Sequence, residues 1–593
     1  MGEMNNMMGL LKNIFSKAEN IGVISSPSST GELTLDIIGT AVNKGLVGKL
    51  AIFNYFQDNN EHFALGQITE IIMENVWIQD PTMRGIIRQR GRVDPITERQ
   101  DVHIAKMRIS SVLSIDENGI EPSIFGTVPS TGTYIKLLDD NLLDTIFEKF
   151  KEQIFYLGKS YGTDIKMPMW FKHFGTGKTG AGEAYHIGIF GKTGSGKSVI
   201  SKMMMLGYAK HPEISIFILD PQGEFSRDLR NKKEIRDILE KKYNRKIELY
   251  NLHNLVLSKW ELFKKILANS EFFKNLGVIL ITNRVQAANE VQKALQSTKN
   301  VSSKITTYSE TSAMGKITLP KMYEKSSFNK VWDTLGDENV QKMIYTGKDV
   351  RQRVQNNYRN ADKNEYYQIW KNITNLFRYE GKENAINMHD LVKKISGDSK
   401  NLIVINLSET EIPQDTIWND SIKHIVIGEF INLITKEAEL RFKNNQLLNS
   451  LIIIDEAHRL APRERSDNED LENIKEILID GVRTTRKYGL GWMFISQTLS
   501  SLDRRIIEQL RIYLFGYGLG WGVERQALRE IIGGAEDAVR LYQMFRDPQS
   551  GIGTKQYPFM SIGPISPLSF SGTPLFFNAL NYPDDFMRVN FKI

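Results

Sequence analysis

The chain has 593 residues, 41% hydrophobic and 25% charged, with a formal net charge of +6 and no cysteine. That length accommodates two or more domains with cores of their own, and the missing cysteine excludes disulfide scaffolds, thiolate nucleophiles and cysteine-ligated metal centres, as suits a cytoplasmic protein. With so mild a charge, any nucleic-acid contact must come from a local ring or patch.

Residues 1–20 read as an N-terminal helix or arm with Leu10, Leu11, Ile14 and Phe15 on one face. They lack the basic leader and small-residue cleavage site of a secretory signal, and no run in the chain approaches the roughly 20 apolar residues of a membrane span. A docking helix is expected, and no membrane association. Residues 21–140 hold short alternating stretches, among them GELTLDIIG, VGKLAIFNYF, FALGQITEIIM and TYIKLL, separated by polar or Gly/Pro turns. This is the pattern of a small β-barrel or sandwich.

Residues 165–225 and 400–550 alternate strand, loop and helix. AYHIGIF (184–190), ISIFILD (214–220), NLIVINL (401–407), SLIIID (450–455), GWMFISQ (491–497) and RIYLFGY (511–517) are mostly continuous apolar runs, as in a parallel sheet covered on both faces. Residues 226–399 are polar, with helical stretches such as ANEVQKALQ and NEYYQIWKNITNLF, and read as a helical insertion. Residues 551–593, rich in Pro, Gly, Phe and Tyr, read as an extended arm laid over a surface, that of a neighbouring subunit included.

Directly after AYHIGIF comes GKTGSGKS (191–198), a full match to the phosphate-binding pattern GxxxxGK[ST], followed by the helix VISKMMMLGY. Gly191, Gly194 and Gly196 let the backbone N–H groups, those of Thr193, Ser195 and Val199 included, curl around phosphate oxygens at a helix N-terminus. Lys197 reaches the β- and γ-phosphates and Ser198 supplies an oxygen to Mg²⁺. Met203, Met204 and Met205 read as packing. The expected fold class is α/β: a RecA-like P-loop ATPase domain with a mainly parallel sheet, an N-terminal β-barrel and a helical insertion.

LIIIDEAHRLAP (451–462) ends an apolar run on two acids. After a complete P-loop, Asp455, closing a strand beside the P-loop strand, is the expected carboxylate that holds Mg²⁺ through water, and Glu456 the base that polarises the attacking water. Gln497, at the tip of GWMFISQ, is placed to sense the γ-phosphate. ILDPQGEFS puts Asp220 and Glu224 at another strand tip in the same crevice. GVRTTRKYG (481–489) offers Arg483, Arg486 and Lys487 as a cation for a neighbouring subunit's γ-phosphate, Arg486 ahead of Arg483, with Arg504 and Arg505 as weaker candidates.

The DEAH stretch superficially suggests a two-lobed helicase, but too little chain follows Asp455 for a second lobe. The β-rich N-terminal segment followed in order by HIGIFGKTGSGKS, ILDPQGEFS, LIIIDEAHRLAP and RKYGLGWMFISQTLSSLD resembles the HerA family, within the HerA/FtsK group of DNA pumps. The resemblance is strongest over 184–226 and 449–517. It implies a barrel of the kind called the HAS domain and a homo-hexameric ring around DNA, most often double-stranded. It further implies ATP and Mg²⁺ as cofactors, Arg486 projecting toward the adjacent nucleotide, and a separate partner docking on the barrel face. That partner would be a NurA-like nuclease or another defence effector, in DNA end processing or anti-phage defence. Two alternatives share these motifs: an ATP-binding ring scaffold that activates an effector, and a secretion-type ATPase of the VirB4 kind.

Overall fold

The computed structural model describes all residues except 1, 95, 117–118, 178, 298–315, 398–400, 409–415, 551–554, 570–571 and 593. The chain divides into two compact units: Met1–Ala181, Tyr185–His211 and Met493–Ile593 make the first, Gly182–Ala184 and Pro212–Trp492 the second. Among the described residues no helix is long and apolar enough to cross a membrane.

The first unit opens with the helix Gly2–Lys17, whose Leu11 and Phe15 are buried while Leu10 stays exposed. Phe15 packs edge-on against Phe63, and Lys12 pairs with Glu61 at 2.7 Å, so the helix docks on the strands that follow. These are β1 (Asn20–Ile24), β2 (Leu33–Ile37), β3 (Leu50–Gln57), β4 (Asn60–Glu74), β5 (Val102–Asp116), β6 (Gly119–Ser123) and β7 (Tyr134–Leu137). All pairings are antiparallel, and β2 pairs with both β1 and β5, so six strands close into a barrel in the order β1-β7-β3-β4-β5-β2, with β6 attached to β5. Closure removes the exposed edges that an open sheet would leave. Inward-facing Leu33, Leu35, Phe53, Ala64, Ile68, Ala105 and Met107 fill the interior.

Further strands of the first unit are β8 (Ile154–Ser160), β9 (Lys166–Trp170) and β10 (Ile187–Phe190), then the last four residues of β17 (Leu490–Ser496), β18 (Ile512–Gly516), β19 (Tyr557–Ile562) and β20 (Leu575–Ala579). They lie in the order β17-β10-β18-β19-β20-β8-β9. β10 is parallel to both β17 and β18, and the remaining pairs are antiparallel. Two sequence expectations change here. The strand ending at Asp455 is not beside the P-loop strand, whose two neighbours are β17 and β18. Nor is the tail an extended arm: β19 and β20 are buried strands of the sheet, and Asp584–Phe591 is a helix. Its aromatic residues alternate faces and fill a core, with Phe559 stacked on Phe577.

Gln67 ties the barrel to β20. Its amide nitrogen donates to Gly48 O (2.6 Å) and Phe576 O (2.9 Å), and its amide oxygen accepts the Phe576 N–H (2.8 Å). Nearby Arg108 pairs with Asp537, which is almost wholly buried.

The second unit holds β11 (Ser215–Asp220), β12 (Ile247–Asn251), β15 (Leu402–Asn406), β16 (Ser450–Ile454) and the first residues of β17, in the order β12-β15-β11-β16-β17. The pairings β12–β15, β15–β11 and β11–β16 are parallel, and β11, β15 and β16 are buried along their whole length. The described residues of 226–399 are mainly helical and also contribute β12 and a two-stranded ladder of β13 (Leu255–Val256) with β14 (Ile386–Asn387). The alternation of IELYN, half-buried and buried in turn, suits a strand at a sheet margin and is easily lost in a polar segment. Its helices enclose an aromatic cluster around Trp370, whose indole N–H donates to Met322 O at 2.7 Å.

Replacing Gln67 with leucine should lower the thermal midpoint measurably. It strands the buried Phe576 N–H, while the Phe576 and Gly48 carbonyls keep the Tyr161 N–H and the Ser160 hydroxyl, a loss of about 1–3 kcal/mol for the one unsatisfied group.

Candidate nucleotide site

The residues singled out from the sequence fall into two groups, one in each unit. In the first unit the loop after β10 is a cradle that only glycine can line. Gly191, Gly194 and Gly196 have φ of 155°, 82° and 92°. A Cβ on Gly191 would lie 2.5 Å from Ser195 Oγ, on Gly194 2.2 Å from Gln549 Nε2, and on Gly196 2.7 Å from the Tyr557 ring. Gly196 caps the helix Lys197–Ala209 without any side-chain hydrogen bond, and a helix N-terminus of this kind favours an anion.

Within the loop, Lys197 is buried and its Nζ donates to Gly191 O (2.7 Å) and Lys192 O (3.2 Å), curling the ammonium into the cradle. Ser195 Oγ is buried with no hydrogen-bond partner. Thr193 is exposed, and Ser198 and Val199 sit half-buried in the first helical turn. An orphaned hydroxyl, a parked ammonium and a glycine cradle fit a phosphate chain. Met203, Met204 and Met205 are core residues.

Gln497 belongs to the same group. Ser496 lies in register with Phe190 across β17 and β10, so Gln497 and Gly191 each follow directly on paired strand ends. The turn after it is held by Glu524, whose carboxylate accepts the N–H groups of Leu499 (2.8 Å) and Ser500 (3.2 Å). Gln549, Tyr557 and Glu524 carry no local sequence motif. Only the packed chain brings them here.

The second group stands at the carboxyl ends of β11 and β16. Leu219 pairs with Ile454, so Asp220 and Asp455 follow side by side. Asp455 is buried and its carboxyl is pushed up to about 7, first by desolvation and then by the neighbouring charges of Glu456, Glu224 and Asp220; the Glu456 N–H, donated to Oδ1 at 2.9 Å, opposes the shift. Asp220 is raised as well by burial, although Ser226 donates to its Oδ2 through both N–H and hydroxyl, and its buried Oδ1 has no partner. Glu456 adopts φ 51°, a left-handed conformation uncommon for glutamate, with His458 at 3.5 Å and Arg459 at 3.8 Å from its Oε2.

Asp220, Asp455 and Glu456 are buried and Glu224 is half-buried, and a divalent cation held there would reverse the shift on Asp455. Among the described residues no three acids or histidines are spaced to hold a metal ion by themselves.

The arginines are exposed. Arg483 ends the helix Glu469–Thr485, and Arg486, with a side chain 57% exposed, stands 3.5 Å from Glu183. Lys487 lies over the Tyr488 ring. Arg504 and Arg505 pair locally with Glu508 and Asp503.

Residues 184–426 match the family model described as Helicase HerA, central domain. With its P-loop, the chain is a nucleotide-binding P-loop ATPase. No curated protein sequence matches it. Similar solved structures include VirB4 of Thermoanaerobacter pseudethanolicus, 12% identical over 72% of this chain and 97% of that one, TM-score 0.38. Another is the genome packaging NTPase B204 of Sulfolobus turreted icosahedral virus 2 in complex with AMPPCP, 12% identical, covering 67% and 98%, TM-score 0.27. The bacterial conjugative coupling protein TrwBdeltaN70 is 10% identical, covering 75% and 92%, TM-score 0.36.

Asp455 makes the ligand-free protein pH-sensitive. Its folded pKa of about 7 exceeds the ordinary 3.8, so between these values the folded state holds a proton that the unfolded chain has lost. Stability should therefore fall as pH rises through that window and level off above it, by at most about 4 kcal/mol. Asp455→Asn should flatten the slope in denaturant titrations at pH 5, 6 and 7.

Proposed function

We propose that this ATPase is a ring motor that moves DNA. The observation that supports the reading is the loop after β10, where three glycines of positive φ and a buried lysine stand at a helix N-terminus. In this account Lys197 and the loop N–H groups hold the phosphates of ATP, and Ser198 and Asp455 hold Mg²⁺, which screens phosphate charge when bound. Glu456 takes the proton of the attacking water, and Gln497 registers the γ-phosphate.

Arg486 is assigned to the neighbouring subunit's nucleotide. Its exposure and its single long contact with Glu183 leave the guanidinium available, and an arginine supplied across an interface makes hydrolysis a change in that interface. A homo-hexamer around duplex DNA, gripping phosphates without sequence preference, follows from the HerA likeness. So does a separate nuclease or other effector seated on the barrel, for end processing or anti-phage defence.

Steady-state ATP hydrolysis with and without duplex DNA, beside native mass, tests the motor. Turnover should rise with DNA, and the mass should be that of a hexamer. A monomer with DNA-indifferent hydrolysis would remove both ring and finger. Glu456→Gln should lower kcat by about 100-fold or more while leaving nucleotide affinity near normal. Lys197→Ala and Arg486→Ala should each abolish turnover alone and regain part of it when mixed, because mixed rings pair an intact P-loop with an intact arginine.

A further inference from the structure

A buried glutamate stands where packing alone would not place one. The helix Gly522–Ile532 begins at the surface: Trp521 and Val523 are each 70% exposed. Between them in sequence and the rest of the helix, Glu524 turns inward and is only 9% exposed. Among the described residues it makes no ion pair with a lysine or arginine. Its charge is met instead by donors from one short turn: Leu499 N–H at 2.8 Å to one carboxylate oxygen, Ser500 N–H at 3.2 Å to the other, and the Ser500 hydroxyl. Charge-assisted bonds of this kind are the strong ones, and two backbone N–H groups sharing one carboxylate admit few alternative turn conformations.

That turn starts at Gln497. Ser496 closes β17 opposite Phe190, the residue before Gly191, and its hydroxyl donates to Thr498 O at 2.8 Å. The hydroxyls of Thr498 and Ser501 are bonded to each other. The backbone at Gln497 is thus fixed on one side by a buried parallel strand and on the other by a turn whose Leu499 and Ser500 N–H groups are committed to Glu524. An acid in the first turn of a helix is ordinarily explained by the helix dipole, which asks for no burial and no distant acceptor role. Neither feature is met by that explanation.

We infer that Glu524 is the positioning residue for Gln497: its carboxylate holds the turn after β17 so that the Gln497 amide stays directed at the nucleotide's terminal phosphate. This rests on the sensor reading of Gln497. Glu524 touches no phosphate itself. Its removal should release the turn, slow the step that depends on the amide, and leave nucleotide binding to the glycine cradle intact.

The test is a double-mutant cycle in the full-length protein, reading kcat, KM, affinity for a fluorescent ATP analogue and thermal midpoint for Glu524→Ala, Glu524→Gln, Gln497→Ala and the Glu524→Ala/Gln497→Ala pair. Glu524→Ala should lower kcat about 10-fold or more with affinity within about twofold, and Glu524→Gln, which keeps one acceptor oxygen, should recover most of the rate. In the Gln497→Ala background, Glu524→Ala should add no further loss. Multiplied losses in the double variant, unchanged kcat in Glu524→Ala, or affinity falling in step with kcat would each overturn the inference. If Gln497→Ala is as active as the parent while Glu456→Gln is not, the sensor reading fails and this inference with it. If Gln497→Ala is slow and Glu524→Ala is not, Glu524 alone is wrong. Should Glu524→Ala not fold, Glu524→Gln combined with Ser500→Ala weakens the same tie and carries the same cycle with the same outcomes.

Discussion

Negative charge confined at the ends of two buried strands is the constraint around which this molecule is organised. Asp455 and Asp220 emerge side by side from apolar strands, with Glu456 and Glu224 adding to the field, and desolvation alone already favours the protonated acid. Among the described residues no lysine or arginine pairs with Asp455. Glu456, next to Asp455, is held in a left-handed conformation in the same turn.

The complementary half is built by close approach. At Gly196 the chain passes so near the Tyr557 ring that a methyl group would clash with it, and at Gly194, beside the Gln549 side chain, a φ of 82° favours glycine. Both partners come from the region that follows the sixth apolar run, and Tyr557 begins β19. The C-terminal strands therefore support the phosphate loop as well as completing a sheet. Gly516, at the end of β18, approaches Ser195 in the same way and receives the Tyr542 hydroxyl bond.

The barrel is joined to this half of the protein by polar contacts at buried positions. Gln67 satisfies both backbone groups of Phe576 on β20, and Arg108 meets Asp537 on the helix Glu536–Gln543, which also carries Tyr542.

Much of this was legible in the order of residues. GKTGSGKS between an apolar run and a helix announces a phosphate cradle, since glycine spacing and a helix start are local properties of backbone. The DE pair after LIII and the six apolar runs are legible for the same reason: burial and hydrogen-bond period leave their mark within a few residues. What stayed hidden is whatever depends on segments far apart in the chain. Nothing in PQSGIGTKQYP marks Gln549 and Tyr557 as neighbours of Gly194 and Gly196, and WGVERQ does not say that its glutamate faces inward to the turn after Gln497. The tail looked like a loose arm because proline and glycine obscure the alternation of β19 and β20, and the Asp455 strand looked adjacent to the P-loop strand because strand order is set by crossovers. Sequence by itself determined which chemistry the chain carries. The tertiary structure decided which distant side chains support it, because those contacts exist only once remote segments are packed together.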